Sequence, residues 1–382
     1  MTALYSSVGE VLNHHEVDVD GATLAKRGAV TLPEHVQYVW PHPARRYLYV
    51  ASSNRAANTA DGKHSFSAFS IDPATGALRP HGEPLALTSR PVHMSLDSTG
   101  SYALIAYTIP AAVTVHRIEK DGTIGARVAQ PGPLDTGIFA HQVRATPSNQ
   151  SVILVTRGND AADGKPEDPG ALKLFDFKDG VLTNKASIAP SGGYGFGPRH
   201  LDFHPTQPWV YVSIERQNQI QVYRMQGGGL TSAPVFVKNT LAEPNNRRPR
   251  QLGGAIHVHP NGRFVYMANR ADHKVDFEWK KVFGGGENSI AVFSIDQATG
   301  EPMLIQHADP ESFHVRTFTL DPSGKLLVAA SISHMLVREG TGVTTVPAAL
   351  SVFRIGADGK LDFVRKYDVE TAGKTQWWAG IV

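Results

Sequence analysis

Cysteine is absent from the 382-residue chain, which excludes disulfides, thiolate metal sites and cysteine nucleophiles together. No apolar run approaches the roughly 18 residues of a membrane-spanning helix. Charge of one sign is also missing. The 37 Lys+Arg and 35 Asp+Glu leave a formal net charge of +2, with no basic block, so neither nucleic acid nor an anionic membrane is an expected partner. The opening Met1-Thr2-Ala3-Leu4-Tyr5-Ser6-Ser7 has no basic n-region and no long apolar h-region. No secretory signal is therefore expected, and the cytoplasm is the expected compartment. Helical periodicity is lacking throughout, and no glycine-rich loop stands between a strand and a helix, so a nucleotide-binding fold has no support.

What the chain has is repetition, the first feature to look for in a sequence this long. An apolar strand, a tight turn and a second β-branched or aromatic strand recur six times, beginning at His35, Arg90, Ala140, Pro198, Gly254 and His314. The turns are anchored at Pro43, Ser98, Pro147, Pro205, Pro260 and Pro322. A third alternating strand follows each copy (SFSAFSID, AVTVHRIE, ALKLFDFK, IQVYRMQ, SIAVFSID, ALSVFRIG), then a short Gly- or Asp-containing turn and a fourth strand. Four strands in about 55 residues make a propeller blade. The N-terminal ALYSSVG, VLNHHEVDVD and ATLAKRGAV read as strands two to four of one more blade, and QWWAGIV at the C-terminus as its first. The expected fold is one all-β domain over residues 1–382, a seven-bladed β-propeller of four antiparallel strands per blade, closed by both termini in one sheet so that no edge stays open.

The repeat also locates a site. Residues equidistant from a hairpin turn are cross-strand neighbours, and Arg199 and Glu215 are both eight positions from Gln207, which makes them facing residues. The equivalent positions in other blades are Gln37 and Ser53, Val92 and Thr108, His141 and Arg157, Gly254 and Arg270, and Arg316 and Ile332. The turn residues repeat; these do not, and they gather His, Arg and Glu in blades three to six. Ionisable groups that break a structural repeat at one level mark a site placed on a scaffold. The longest connections, Gly158 to Gly170, Asn239 to Leu252, Ala271 to Asn288 and Ser333 to Ala348, fall at that same end, as loops shaping a mouth do.

The stretch Gly197-Pro198-Arg199-His200-Leu201-Asp202-Phe203-His204-Pro205, the strand end Tyr211–Glu215 and the run Ile256–Arg270 resemble the seven-bladed lactonase family, which includes bacterial 6-phosphogluconolactonases and fungal carboxymuconate-lactonizing enzymes. The resemblance extends over the whole chain at the level of blades. It implies a cofactor-free active site in the central funnel, and by position it falls on His141, Arg199, Glu215 and Arg270. The chain departs from the family pattern at Phe139, where a second histidine is common, and at Ser52-Ser53, where Asn-Glu is common.

Lactone opening is acyl transfer to water, needing a base, an acid for the leaving alkoxide and cationic donors for the oxyanion. Glu215 is the expected base, His141 the acid or alternate base, and Arg199 and Arg270 the forked donors. Arg316, Arg157, His200, His93 and His257 are the expected substrate-binding residues, and the excess of arginine calls for a small anionic lactone. Three readings stay open: hydrolase, muconate-type cycloisomerase, or a propeller that binds an anion or a protein. The competing reading of Arg199 and Glu215 is a cross-strand ion pair, and that of His141 a hydrogen-bonded core histidine. His257-x-His259 has metal-ligand spacing but no acidic partner in sequence, and His259 precedes its anchor proline as His42 and His204 do, which makes it a repeat element. The acidic loop of Asp160, Asp163, Glu167 and Asp168 is expected to be solvated and His14-His15 inert, so no metal and no cofactor are expected. Monomer or weak homodimer is the expected state.

Overall fold

The computed structural model describes residues 2–54, 62–162 and 164–382. Each second strand is apolar on both faces, because a blade is sandwiched between two others; every residue of Trp209–Ile214 and of Leu326–Ser331 is buried. The inner strands are Val36–Pro41, Pro91–Leu96, Ala140–Ala145, Pro198–Phe203, Gln251–Val258, Val315–Leu320 and Gln376–Ile381. Each lies at the edge of its own antiparallel sheet and contacts the inner strands of the sheets before and after it, the last meeting the first again. The ring therefore has seven blades, numbered here from the sheet that opens at Val36. The only helix among the described residues is a single 3-10 turn at Pro190–Gly193.

Blade 7 is built as its sequence suggests. Ala3–Val8, Val11–Asp18 and Thr23–Thr31 are its outer three strands, and Gln376–Ile381 pairs antiparallel with Ala3–Val8 as the innermost. Seven apolar clusters fill the seven clefts between adjacent blades; that between blades 7 and 1, for example, joins Tyr5, Leu12 and Trp378 to Val39, Leu48 and Phe69. The hydrophobic core is thus a ring of seams with no single centre, and a gap in any seam opens two blades.

The histidine before the anchor proline fastens a seam. In blade 4, His204 Nδ1 accepts from Gln207 N at 2.9 Å within its own turn, while Nε2 donates to the carbonyl of Gly262 in blade 5 at 2.8 Å. His259 repeats both bonds with Asn261 N and with Gly324 of blade 6. His257-x-His259 is accordingly not half of a metal site. Gly262 has φ +72°, and a Cβ there would stand 2.5 Å from His204 Nε2, so both the turn and the neighbouring ring demand glycine.

Every inner strand carries one extra residue against its partner. The ladders step over Gln37, Val92, His141, Arg199 and Arg316, and over one residue within Gly254–Ala255 and within Trp377–Trp378. These bulges fall on the inner-strand positions that depart from the repeat in sequence. A bulge twists a strand and re-aims a side chain without breaking the sheet. The expected register is corrected in two steps: the hairpin is centred between Thr206 and Gln207, with His200 opposite Ser213, and the bulge adds one residue more, so that Glu215 N donates to Gly197 O at 2.9 Å and Glu215 faces Gly197, two residues before Arg199. The long connections do lie at this end, though two are β-hairpins rather than open loops: Lys274–Phe277 with Lys280–Phe283, and Met335–Glu339 with Gly342–Val346. The two hairpins pack together, with Arg338 4.3 Å from the Phe277 ring centre.

Candidate active site

Glu215 follows the last residue of the second strand of blade 4 and sits on the seam with blade 5. Its N–H bonds Gly197 of its own blade, and its carbonyl accepts from Gly253 N of the next at 2.8 Å. A Cβ on Gly253 would come within 3.3 Å of Glu215 Cα and 2.5 Å of Met267 Cε, so glycine is what lets the strands close up here. The carboxylate is 5% exposed and receives three guanidinium groups. Arg157 Nε bonds Oε2, Arg270 Nη2 bonds Oε1, and Arg199 Nε lies 3.2 Å from Oε1. These arginines come from blades 3, 5 and 4, so three sheets converge on one carboxylate. Although off register, Arg199 and Glu215 meet because the bulge turns the Arg199 side chain back.

Three positive groups on one negative group leave the site cationic, and this sets the protonation of everything in it. Burial alone would raise the Glu215 pKa, but attraction from Arg270, Arg199 and Arg157 overrides it and holds the group at about 2. Burial and repulsion from Arg270 bring Arg199, 1% exposed, down to about 9. His141, His200 and His93 are driven well below their ordinary value, first by burial and then by the arginines, so all three rings are neutral at pH 7. They form a row: His141 to His200 is 5.2 Å between ring centres, His200 to His93 is 5.9 Å, and His93 packs on Tyr38 at 4.0 Å. Arg199 Nη1 reaches His200 Nδ1 at 3.3 Å. His141 Nδ1 and His93 Nε2 are buried with no hydrogen-bond partner. Before the His141 bulge stands Phe139, in the left-handed region at φ 56°, its ring stacked on His141 at 6.3 Å.

Arg316, the blade 6 bulge residue, lies 3.5 Å from the centre of the Trp377 ring and close enough to His141 to depress its pKa. His257 is near enough to His200 to help lower its pKa, but lies on the turn side of this cluster. It faces the turn end of the channel, where it lines a cavity of about 370 Å³ with Trp40, Phe318 and Trp378. Its Nδ1 stands 3.7 Å from Asp202, an acidic partner invisible at sequence spacing because it comes from blade 4. In the acidic loop, Asp160 binds Arg157 at 2.6 Å and Arg216, while Glu167 binds Arg216; the loop braces rim arginines, and Asp163 lies outside the described residues. Among the described residues, no three His, Asp or Glu side chains converge as a metal site.

Sequence reasoning missed His314 and Asp272. His314 Nε2 lies 2.9 Å from Arg270 Nη1, and His314 Nδ1 lies 3.3 Å from Asp272. His314 precedes the Arg316 bulge by two, as Gly197 precedes Arg199 and Phe139 precedes His141. Reading the repeat one notch further would have found it.

The family model described as "Lactonase, 7-bladed beta-propeller" matches residues 2–337. The chain belongs to that family. It is a lactonase, a hydrolase of the carboxylic-ester class. This lactonase is 30% identical over 283 residues to the 6-phosphogluconolactonase of Bacillus subtilis, covering 71% of this chain and 72% of the relative. It is 25% identical over 371 residues to that of Serratia proteamaculans, covering 95% and 93%. Among solved structures, a putative 6-phosphogluconolactonase of Bacteroides uniformis superposes with a TM-score of 0.74 at 16% identity, over 100% of this chain and 99% of that one. A periplasmic gluconolactonase of Pseudomonas aeruginosa superposes with a TM-score of 0.72 at 19% identity, over 100% and 99%. These two likenesses are of fold.

Proposed function

We propose that this lactonase hydrolyses an anionic sugar-acid lactone, the lactone of 6-phosphogluconate being the first candidate, without a metal. The observation that carries the reading is a neutral, buried His141 beside arginines clamped by one glutamate inside the funnel. A neutral imidazole takes a proton from water; a carboxylate held at about 2 and shared among three guanidinium groups is a weak base. The work divides accordingly. His141 is the base for the attacking water and returns the proton to the leaving alkoxide. Arg199 and Arg270 are fixed donors for the oxyanion, and fixed donors in a water-poor site need no reorganisation when charge develops. Glu215 is the counter-ion that lets guanidinium groups stand together, and Arg316 and Arg157 favour an anionic substrate. His200 and His93 continue the neutral row inward from His141. The same cationic set repels a divalent ion, which supports the metal-free reading.

The test is acid release, corrected for spontaneous opening, from phosphorylated, carboxylated and neutral gluconolactones. The anionic lactones are expected to give the higher kcat/KM, and His141→Gln to lower kcat on the order of 10²–10⁴-fold with KM little changed. Preference for the neutral lactone, or a His141→Gln enzyme at the wild-type rate, overturns the reading. Formation of muconolactone from a cis,cis-muconate, followed by ultraviolet absorbance, would assign the site to cycloisomerisation instead.

A further inference from the structure

Arg270 is held at both ends of its guanidinium. Nη2 bonds Glu215 and Nε donates to Gly253 O at 3.2 Å, leaving Nη1 directed at His314 Nε2, 2.9 Å away. Arginine has only donors, so His314 Nε2 must be the acceptor. The ring proton of neutral His314 is then on Nδ1, which faces Asp272 at 3.3 Å. Asp272 in turn receives Arg250 Nη2 at 2.8 Å. Glu215, Arg270, His314, Asp272 and Arg250 thus stand in one line from the buried carboxylate to the surface, hydrogen-bonded at each link except that between His314 Nδ1 and Asp272, which is a close approach outside hydrogen-bond geometry.

The backbone is committed to the same arrangement. His314 has φ 53°, an uncommon conformation for a residue with a side chain, and its N–H donates to Asn288 Oδ1 at 2.7 Å. Asn288 Oδ1 also accepts from Ala271 N at 3.1 Å, so a blade 5 side chain fixes where the blade 6 inner strand begins. Burial, opposed by the nearby Asp272 carboxylate and reinforced by Arg270, brings His314 down to about 4, leaving it in the form that accepts from Arg270 at pH 7.

We infer that His314, oriented by Asp272, is a positioning residue that sets the rotation of the Arg270 guanidinium toward the reacting oxygen. Its effect on turnover rests on the oxyanion role proposed for Arg270; its effect on the Arg270 side chain does not. A group that orients a transition-state donor acts on kcat more than on KM, and a donor misplaced by about 1 Å costs on the order of 10²-fold.

Three preparations test this: wild type, His314→Gln and His314→Leu. Both variants carry the same backbone penalty at φ 53°, so any difference between them belongs to the side chain. Glutamine places an acceptor near the position of Nε2; leucine offers none. In 15N-histidine-labelled wild type, with His314→Gln as the assignment control, His314 is expected to show a protonated Nδ1 and an acceptor-type Nε2. The Arg270 Nε–H signal is expected to stay sharp in His314→Gln and to broaden in His314→Leu. On the best lactone, His314→Leu should lose on the order of 10²-fold in kcat with KM within a few-fold, and His314→Gln should recover most of it. An Nε2–H tautomer, or equal Arg270 signals and equal kcat in the two folded variants, overturns the inference. If the wild type opens no lactone, the proposed function fails, while the tautomer and the Arg270 signal still decide the positioning.

Discussion

Replacing Glu215 with glutamine separates a counter-ion from a base. The glutamate pKa falls from 4.5 to about 2 in the fold, which corresponds to roughly 3 kcal/mol of stability. Because the folded value is the lower one, this contribution is complete above pH 4.5 and is lost as pH falls toward 2. One unit below the free value, at pH 3.5, about 1.4 kcal/mol of it is gone. In Glu215→Gln the amide cannot balance Arg157, Arg199 and Arg270, and removing one side of a buried ionic set costs about 3–5 kcal/mol. For a chain of this length the melting temperature should fall by about 4–6 °C at pH 7. The assay is urea and thermal unfolding of wild type and variant at pH 7, 5 and 3.5, with acid release measured on the same samples. The stability gap should be widest at pH 7 and narrower by about 1.4 kcal/mol at pH 3.5. A variant that melts with wild type at pH 7 while its kcat collapses would refute the counter-ion argument and make Glu215 the base.

Arg199→Lys keeps the charge and loses the fork, so kcat and KM should both worsen; a change in melting temperature alone would mean that Arg199 only balances Glu215. Deleting Gln376 to Val382 removes the inner strand of blade 7 together with buried Trp378 and Ala379. It should abolish the cooperative melt, and an unchanged melt would contradict closure by the termini. Gly262→Ala should destabilise by roughly 1–3 kcal/mol, since it adds a clash with His204 to the left-handed strain. Gly227→Ala, at φ +56° with nothing within 4 Å of its Cβ, should show only the smaller strain cost; equal losses would remove the seam argument.

The sequence carried the blade count, the closing sheet and the level at which the candidate site's charged residues gather, for a physical reason. A strand's face and a turn's residue type are local matters, and seven copies in one chain display each rule several times over. Gln376–Ile381 could be placed beside Ala3–Val8 because six internal blades had already defined what a missing first strand looks like. The His-Pro turns at His204 and His259 could be set aside as structural for the same reason. Arg157, Arg199, Glu215 and Arg270 stood out as interruptions of the repeat, and the fold does bring these four together.

Tertiary structure alone decided what depends on contact between blades. The bulge at Arg199, which supplies half of the shift that sets Glu215 opposite Gly197, has no sequence mark of its own, since one extra residue in a strand resembles one residue fewer in a turn. The partner of His257 is Asp202, of Arg270 His314 and of His314 Asp272; all three pairs cross a blade seam, where separation along the chain says nothing about distance. The role of Glu215 turned on the same point. Composition offers a buried carboxylate as a base; the counter-ion role proposed for it rests on three guanidinium groups arriving from three different sheets, and only the packed ring puts them there.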